Sequence, residues 1–309
     1  MNNKIYDVIM IGAGPSALTA AIYTTREDID TVLYEKSVVG GLAAITDKID
    51  NYPGFPDGIE GFDLTDKMRQ QAEKFGAKII TGDVTAIRDE AGTKIVTVDG
   101  NEVKVKAILI ATGSGYNKIG IPGETEYYGK GVSYCATCDG AFYRGKKIAV
   151  VGGGNSAVQE AIFLTTFVSH IDLLVRSTVK ASEVLQKELQ KNVDAGKITV
   201  HIGTTTDEIV AIDNHVTSVR ITENGTTKSI DADGIFIFAG LKPSTQFLDG
   251  SGVDLDEFGF IKTNLHLQTN ISGIFASGDV RSGATMQIAS AVGEGTTAAL
   301  SIREYLASL

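Results

Sequence analysis

The sequence predicts an α/β fold that contains two similar βαβ units, and three observations support this prediction. A buried, β-rich segment, Ile5–Ile11, runs directly into the glycine-rich loop Gly12-Ala13-Gly14. The same order of strand, glycine-rich loop and helix returns at Lys147, so that Gly152 occupies the position of Gly12. The chain has 309 residues, a length that suits two domains better than one. Because a glycine-rich turn between a strand and a helix is typical of phosphate binding, two bound nucleotides are expected.

Composition and charge exclude several classes of protein. Hydrophobic residues make up 43% of the chain, which is enough for sizeable cores. The formal net charge is −10 at pH 7 and no long run of lysine and arginine occurs, so nucleic acid is not an expected partner. No apolar run approaches the ~18 residues that a membrane span needs. Residues 1–4 lead directly into a strand that contains Asp7 rather than into an apolar leader, which predicts a cytoplasmic protein.

The first loop has the surroundings expected of a dinucleotide site. Its glycines are followed by Pro15, Ser16 and Ala17, and a helix is predicted from there to about Arg26. A second strand, predicted over residues 31–34, ends at Glu35. An acid at this position accepts hydrogen bonds from both ribose hydroxyls of a bound nucleotide.

The segments that follow predict a mixture of loops and strands. Residues 40–55 are rich in glycine and proline and predict an ordered loop, whereas 61–75 predict an amphipathic helix. Residues 78–105 predict an antiparallel layer, and 107–113 a separate buried strand that ends in a glycine loop. Near the C-terminus a short apolar strand ends in Gly278-Asp279, and a helix is predicted from about Ala284.

The second loop, Gly152–Ala157, lacks the acid that follows the first. Val175 stands at the position that corresponds to Glu35, and Arg176 and Lys180 come shortly after it. Two cations can hold a 2′-phosphate, which favours NADPH over NADH. An equally acceptable interpretation is that both side chains belong to a solvated surface loop.

The two cysteines of the chain, Cys135 and Cys138, lie between the glycine-rich loops. Two cysteines separated by two residues form a small disulfide that is easily opened and closed. A structural zinc site is disfavoured because it needs two more ligands, and the sequence offers no second cysteine pair and no nearby histidine. A purely structural disulfide or two inert thiols are the remaining alternatives, and a redox disulfide is favoured over both.

Together these segments resemble the low-molecular-weight thioredoxin reductases over the whole chain. The motifs that carry the resemblance are Gly12-Ala13-Gly14-Pro15, Asn51-Tyr52-Pro53-Gly54, Ile121-Pro122-Gly123-Glu124, Cys135-Ala136-Thr137-Cys138-Asp139, Gly152-Gly153-Gly154-Asn155-Ser156-Ala157 and Gly278-Asp279. The resemblance implies a homodimer. It also implies that each chain has two Rossmann-like, three-layer β/β/α nucleotide-binding domains, the second inserted into the first. It assigns residues 1–116 and 246–309 to an FAD domain and 117–245 to an NAD(P)H domain that carries the disulfide.

The resemblance also implies roles for individual residues. Electrons from NAD(P)H pass through FAD to the Cys135–Cys138 disulfide, with Cys138 facing the flavin, Cys135 attacking a thioredoxin or thioredoxin-like partner, and Asp139 moving protons. The inserted domain swivels on connectors near 113–120 and 240–244. The implied FAD contacts are Gly12, Gly14, Pro15, Ser16, Glu35, Lys36, Gly41, Leu42, Thr46, Asn51, Val84, Ala111, Thr112, Gly113, Gly278, Asp279, Gln287 and Ile288. The implied NAD(P)H contacts are Gly152, Gly154, Asn155, Ser156, Ala157, Arg176 and Lys180. No metal site is implied.

Three departures from the family pattern bear on cofactor binding. The usual His-Arg-Arg and later Arg of the phosphate site are replaced by Val175-Arg176-Ser177 and Ala181. Part of this stretch is also similar to NADH-linked alkyl hydroperoxide reductase flavoproteins, although those usually have an acid at the position of Val175. The usual Gly-Gly-Gln ends here in Leu42, and the Arg that usually precedes Gln287 is Met286.

Alternative functions share the same fold. A flavin disulfide reductase fed by ferredoxin, one that serves a peroxiredoxin-type partner, and a non-catalytic flavin redox sensor all remain open at this point. A ferredoxin–NADP reductase is disfavoured because it has no use for Cys135 and Cys138.

Overall fold

The computed structural model describes residues 5–46, 48–90 and 92–309, which divide into two compact units. The first unit contains residues up to Gly115 together with Lys242–Leu309, and the second contains Tyr116–Leu241. Residues 1–4, from which the absence of a leader was argued, lie outside the described residues. No helix within the described ranges combines the length and the apolar character that crossing a membrane requires.

The first part of the chain is rich in strands. They are β1 (Ile5–Ile11), β2 (Thr31–Glu35), β3 (Lys78–Thr81), β4 (Val84–Glu90), β5 (Thr93–Val98), β6 (Asn101–Ile110) and β7 (Ser114–Tyr116). The α-helices are α1 (Pro15–Thr25) and α2 (Gly61–Lys74). The loop predicted over 40–55 contains one turn of 3₁₀ helix, Gly41–Ala43.

The middle of the chain repeats the alternation of strands and helices. Its strands are β8 (Val132–Ser133), β9 (Lys147–Val151), β10 (His170–Val175), β11 (Ile198–Ile202), β12 (Thr204–Ile212), β13 (His215–Glu223), β14 (Thr226–Asp231) and β15 (Gly234–Ile237). Its α-helices are α3 (Ala136–Asp139), α4 (Asn155–Leu164) and α5 (Glu183–Asp194). The chain ends with β16 (Leu241–Pro243), β17 (Ile274–Ala276) and α6 (Ile288–Ala307).

The first unit has a parallel sheet at its centre. The strand order is β3-β2-β1-β6-β5-β4, with β17 also paired to β6. Helices α1, α2 and α6 cover one face of the parallel strands through a core that includes Leu18, Met68 and Ile302. Strands β4 and β5 cover the other face, where Ile87 and Val96 pack against side chains of β1 and β2. The unit therefore has the predicted three layers.

The prediction for residues 78–113 was wrong in two details. Strand β3 pairs in parallel with β2 rather than antiparallel to its neighbours. The antiparallel layer and the buried strand share one continuous element, β6, whose first half pairs antiparallel with β5 while residues 104–110 pair in parallel with β1. No glycine or proline interrupts 101–110, so nothing in this stretch ends the strand between the two partners.

The second unit also has a parallel sheet, in the order β11-β10-β9-β15-β8, and a separate antiparallel sheet, β12-β13-β14. Helices α4 and α5 pack on one face of the parallel sheet around Val158, Leu164 and Leu189. The antiparallel sheet packs on the other face through Ile209 and Val219. The predicted α/β class, with parallel sheets in two units, is confirmed.

The start of the last helix differs from the prediction. Helix α6 begins at Ile288, four residues later than expected. Met286 adopts the left-handed region at φ 57°, and Gln287 is extended at φ −131° and ψ 145°. Neither conformation is helical, so Gln287 becomes the N-cap residue of α6.

Candidate active site

The first glycine-rich loop packs closely against the ends of β6 and β2. Gly12 has φ 97°, and a Cβ added there would lie 2.6 Å from the carbonyl oxygen of Ala111 at the end of β6. The Gly12 amide donates to the carbonyl oxygen of Tyr34 at 2.8 Å, which joins the loop to β2. Only glycine fits this position, because both the backbone angle and the space exclude a side chain. The loop then enters α1 at Pro15, where the fixed φ of proline suits a first helical residue.

Glu35 lies beside this loop, as the sequence predicts. Its Oε2 accepts a hydrogen bond of 2.8 Å from the Ala13 amide, and its Oε1 accepts one of 2.9 Å from the Ser37 amide. The carboxylate is therefore fixed at the carboxyl end of β2 with capacity left for further donors. This is the placement that an acceptor for a ribose diol requires. The adjacent Lys36 is exposed.

Open space lies in front of Gly14 and Gly154, where a ligand can approach the backbone. Both residues have ordinary extended φ angles, −76° and −85°, and a Cβ added to either would meet no protein atom within 4 Å. Neither glycine is required by the protein's own packing, in contrast to Gly12 and Gly152. Both lie at the N-terminus of a helix, α1 or α4, where free amides favour a phosphate. The residues present therefore fit a nucleotide in each unit.

The loop after β2 is attached to the first glycine-rich loop. The Gly40 amide donates to the Ala13 carbonyl oxygen at 2.8 Å, and an added Cβ at Gly41 would lie 3.8 Å from the Cα of Gly14. Leu42 is 44% exposed, and its carbonyl oxygen accepts a hydrogen bond from Thr46. This brings Gly41 to the predicted phosphate position.

A second set of predicted residues meets at the start of α6. The Asn51 side-chain amide donates to Gln287 Oε1 at 3.1 Å, and Ile288 follows as the first helical residue. Met286 Sδ accepts a hydrogen bond of 3.7 Å from Ser114 Oγ at the start of β7. Met286 thus lies between this set and the connector, in place of the arginine of the family pattern.

The end of β17 contributes Gly278 and Asp279. The Gly278 amide donates to Glu294 Oε2 at 2.8 Å, and an added Cβ would lie 3.2 Å from Ser16 Cβ on α1. Burial, and in second place the Glu294 carboxylate, raise the pKa of Asp279 to about 6. Within the described part of the chain, no hydrogen bond reaches the Asp279 carboxylate. A largely buried carboxylate without a protein donor fits a site where a ligand hydroxyl supplies the hydrogen bond.

The remaining predicted contacts of the first unit lie at the ends of β6 and β4. Ala111 is 7% exposed, Thr112 Oγ1 donates to the Ser244 carbonyl oxygen at 2.8 Å, and Gly113 has φ 67°. Val84 is buried in the core between β4 and the parallel sheet. None of the described contacts links Val84 to the other predicted residues.

The second glycine-rich loop repeats the first in its packing. Gly152 has φ 139°, and an added Cβ would lie 2.6 Å from Ala157 Cβ and 2.7 Å from the Phe238 carbonyl oxygen. Asn155 Oδ1 accepts a hydrogen bond of 2.8 Å from the Ser182 amide, and Ser156 is exposed beside it. The helix that follows starts directly from the loop, as in the first unit.

The loop after β10 carries cations where the first unit carries an acid. Val175 is 2% exposed and packs behind Gly153, whereas Arg176 and Lys180 are both exposed. The Lys180 amide donates to the Gly153 carbonyl oxygen at 2.6 Å, which ties this loop to the glycine-rich loop. Within the ranges that the structure covers, no carboxylate pairs with either cation. Both are therefore available to an anion beside Gly154.

The two cysteines form a disulfide with a Cα–Cα distance of 5.3 Å. Cys135 precedes the one-turn helix α3, and its Sγ accepts a hydrogen bond of 3.2 Å from the Cys138 amide. Ala136 is 1% exposed and holds the turn against the core of the second unit. A hydrogen bond to Sγ stabilises a thiolate at Cys135 once the disulfide is opened. No group of three metal-ligating side chains is present among the described residues.

Asp139 ends the same turn and is held by Ser133. Ser133 Oγ–H donates to Asp139 Oδ2 at 2.5 Å, and Ser133 itself is 2% exposed at the end of β8. Burial raises the pKa of Asp139, and the hydrogen bond from Ser133 opposes part of that rise. A carboxyl group with a raised pKa in the same turn as a disulfide is suited to exchange protons with sulfur.

Sequence reasoning missed several residues of these sites. Ser277 Oγ lies 2.6 Å from Ser16 Oγ and lines the same strand end as Gly278. Glu294 joins the Gly278 amide to Arg281, with a carboxylate–guanidinium distance of 2.5 Å. Ser133 contacts Asp139. The position of Ser277 next to Gly278 was a usable signal, but Glu294 and Ser133 are linked to their partners by the fold.

Three comparisons with known proteins find the same kind of relative. A family model described as pyridine nucleotide-disulphide oxidoreductase matches residues 6–295. A thioredoxin reductase of Bacillus subtilis is 41% identical over 99% of this chain and 96% of its own length. One from Listeria innocua is 42% identical over 99% of this chain and 95% of its own length. The crystal structure of a thioredoxin reductase from Streptococcus pyogenes covers 100% of both chains with a TM-score of 0.94 and 37% identity.

The matches agree with the geometry described above. Two parallel sheets each carry a glycine-rich loop, and the chain holds a disulfide between cysteines two residues apart. The solved relative has the same fold over its full length. The chain is an oxidoreductase that belongs to the pyridine nucleotide-disulphide oxidoreductase family, with thioredoxin reductases as relatives along its entire length.

Proposed function

We propose that the chain is a thioredoxin-disulfide reductase that carries electrons from NADPH, through FAD, to the Cys135–Cys138 disulfide and on to a thioredoxin or thioredoxin-like protein. The observation that carries the proposal is the disulfide with the largely buried Asp139 in the same turn, in a chain with two separate nucleotide loops. The relatives named thioredoxin reductase support it.

The first unit would hold FAD. Gly14 leaves space for the pyrophosphate at the N-terminus of α1, and Glu35 offers its carboxylate to the adenosine ribose. Asp279 would accept a hydrogen bond from a hydroxyl of the cofactor, because its carboxylate is largely buried and the described residues give it no donor. When bound, FAD would supply the redox chemistry that links a hydride donor, the nicotinamide, to an electron-pair acceptor, the disulfide. This proposal assigns residues 1–116 and 246–309 to the FAD domain.

The second unit, proposed as an NAD(P)H domain over 117–245, would prefer NADPH. Val175 offers no acceptor for a ribose diol, whereas Arg176 and Lys180 lie on a loop that is tied to the phosphate-binding glycines. A guanidinium and an ammonium that pair with no carboxylate among the described residues suit a 2′-phosphate. NADH would bind more weakly because nothing replaces those two charge-assisted contacts.

The disulfide exchange itself follows from the contacts of the redox turn. Once the disulfide is reduced, the hydrogen bond from the Cys138 amide favours a thiolate on Cys135, which attacks the partner's disulfide. The partner's sulfur–sulfur bond breaks, a mixed disulfide forms, and the departing sulfur takes a proton from Asp139. Cys138 then gives its proton to the Asp139 carboxylate and attacks Cys135. This breaks the mixed disulfide and restores the chain's own disulfide. The second partner sulfur leaves and takes that proton back from Asp139, so the partner is released as a dithiol.

The resemblance to thioredoxin reductases also implies an assembly and a location. We propose a homodimer in the cytoplasm, with no role in binding nucleic acid or membranes. The inserted domain would move on its connectors, where Gly113, Gly120 and Gly240 have positive φ angles.

Anaerobic stopped-flow measurements on the flavin-loaded protein test the proposed function. NADPH should bleach the flavin band faster than NADH, and added oxidised thioredoxin should restore it through repeated cycles. A Cys138→Ser variant should still bleach but should not reduce thioredoxin. If reduced ferredoxin bleaches the flavin band and neither nicotinamide does, ferredoxin would replace NADPH as the electron donor. Turnover by Cys138→Ser at the wild-type rate would reject it.

A further inference from the structure

We propose that Ser133 is a positioning residue that keeps Asp139 hydrogen-bonded in both of its protonation states, so that Asp139 can give and take protons during disulfide exchange. This inference rests on the proposed function, in which Asp139 exchanges protons with sulfur.

The Ser133 hydroxyl lies within hydrogen-bond distance of three groups. Its oxygen lies 2.5 Å from Asp139 Oδ2, 3.1 Å from the Cys135 amide nitrogen and 3.4 Å from the Cys135 carbonyl oxygen. The amide is a fixed donor, so one lone pair of Ser133 Oγ accepts from it. A hydroxyl has a single hydrogen, and two acceptors, Asp139 Oδ2 and the Cys135 carbonyl oxygen, are within its reach.

The two acceptors correspond to the two states of Asp139. When Asp139 is ionised, the Ser133 hydroxyl hydrogen points to Oδ2 and stabilises the carboxylate. When Asp139 is protonated, its own hydrogen points to the second lone pair of Ser133 Oγ. The Ser133 hydrogen then turns to the Cys135 carbonyl oxygen. No heavy atom moves, and no buried polar group loses its partner in either state.

The surroundings leave Asp139 with few other partners. Burial raises the pKa of the phenols of Tyr128, which precedes β8, and Tyr143, in the 3₁₀ turn after α3, and the charge of Asp139 adds to the rise in both. The cysteine sulfurs are the titratable groups of its own turn. The titratable residue of helix α4, which packs against α3, is Glu160; burial raises the pKa of its carboxyl, and none of the described contacts links it to Asp139. Over the described residues, no lysine or arginine pairs with Asp139. Ser133 is therefore the group that adjusts to its charge.

Ser133→Ala removes the hydroxyl that contacts Asp139. Without the hydroxyl, the ionised carboxylate loses its donor inside a buried site, so the pKa of Asp139 rises further. In the flavin-loaded enzyme, the limb of the kcat/KM profile for thioredoxin that reports Asp139 should move to higher pH by about one unit. Because Asp139 must be protonated to give its proton to the departing sulfur, this limb is the alkaline one, and kcat/KM above the wild-type limb should rise by up to roughly ten-fold. The KM for NADPH should not change.

The experiment compares four variants of the holoenzyme over pH 5–9. Ser133→Thr keeps the hydroxyl and should restore the wild-type profile. Ser301→Ala removes a serine of similar burial, 6% against 2% exposed, far from the redox turn in sequence, and should leave the profile unchanged. Asp139→Asn should abolish the limb. Thermal unfolding of each variant separates a fold defect from a change in pKa.

A second measurement covers the case in which Ser133→Ala folds poorly. The rate at which iodoacetamide alkylates the reduced chain reports the thiolate at each pH, independently of turnover. A shifted alkylation profile in Ser133→Ala, restored in Ser133→Thr, supports the proposal.

Two outcomes would overturn the proposal. A Ser133→Ala profile that superimposes on wild type while Asp139→Asn loses the limb would reject the role of Ser133 alone. An unaltered limb in Asp139→Asn would reject the proton role of Asp139 in the proposed function, and the role of Ser133 with it.

Discussion

The two glycine-rich loops share a backbone and differ in the residue that follows the second strand of each unit. In both, the first glycine is required by packing against the protein, and the third residue leaves open space at a helix N-terminus. In the first unit Glu35 faces the loop, whereas in the second Val175 is buried and Arg176 and Lys180 are exposed nearby. Under the proposed function, the βαβ unit would supply phosphate binding in both units, and the loop after the second strand would decide which nucleotide each unit accepts.

The largest effect is expected at Gly12, which the packing of the protein requires, in contrast to Gly14, which only the ligand requires. Gly12→Ala should destabilise the first unit by about 3 kcal/mol or more and abolish flavin binding. The added Cβ meets a backbone oxygen, and alanine is strained at φ 97°. Gly14→Ala should leave the unfolding temperature of the flavin-free protein unchanged and weaken only FAD binding. Thermal unfolding with flavin absorbance measures both. Wild-type stability and flavin content in Gly12→Ala would contradict the distinction.

The next largest effect is expected at Glu35, the acid that has no counterpart in the second unit. Glu35→Gln should raise the Kd for FAD roughly 10- to 100-fold, because a charged acceptor for the ribose diol becomes a neutral one. Titration of the flavin-free protein with FAD measures this affinity. Glu27→Gln, an exposed acid of the same unit, is the control. Equal loss in both variants would show that Glu35 acts only on the fold.

The cations of the second unit should have a smaller effect on nicotinamide choice. Arg176→Ala and Lys180→Ala should each lower the ratio of kcat/KM for NADPH to that for NADH by about ten-fold, because each removes one charge-assisted contact to the 2′-phosphate. Lys187→Ala, an exposed lysine on α5, is the matched control. An unchanged ratio in the double variant would assign both cations to the solvated loop surface.

The smallest effect concerns Asp279, a second acid of the first unit. Its folded-state pKa lies near 6, above its ordinary value of 3.8, so its contribution to stability is present below about pH 4 and is lost as the pH rises through 6. Asp279→Asn should therefore stabilise the flavin-free protein by about 1–2 kcal/mol at pH 7.5 and by less at pH 5. Urea unfolding at the two pH values measures the difference, and equal stabilisation at both would refute this assignment.

The sequence predicted what is local and missed what the fold brings together. The strand, glycine loop and acid of the first unit lie within 35 residues, and each was placed correctly. The early start assigned to α6 came from helix-compatible residues around Met286, whose left-handed backbone no propensity reveals. Glu294 meets Gly278 only because α6 returns to the end of β17. Tertiary contacts of this kind leave no periodic pattern in the sequence.

A count of thiols tests the central claim, that electrons from a nicotinamide reach the Cys135–Cys138 disulfide and leave it for a thioredoxin. The flavin-loaded protein is reduced anaerobically with NADPH, and its free thiols are counted before and after one equivalent of oxidised thioredoxin is added. The chain has 2 cysteines, so we expect both thiols to appear with NADPH and to disappear as two thiols form on thioredoxin. Thiols that never appear with either nicotinamide, or that persist when thioredoxin is added, would contradict the account.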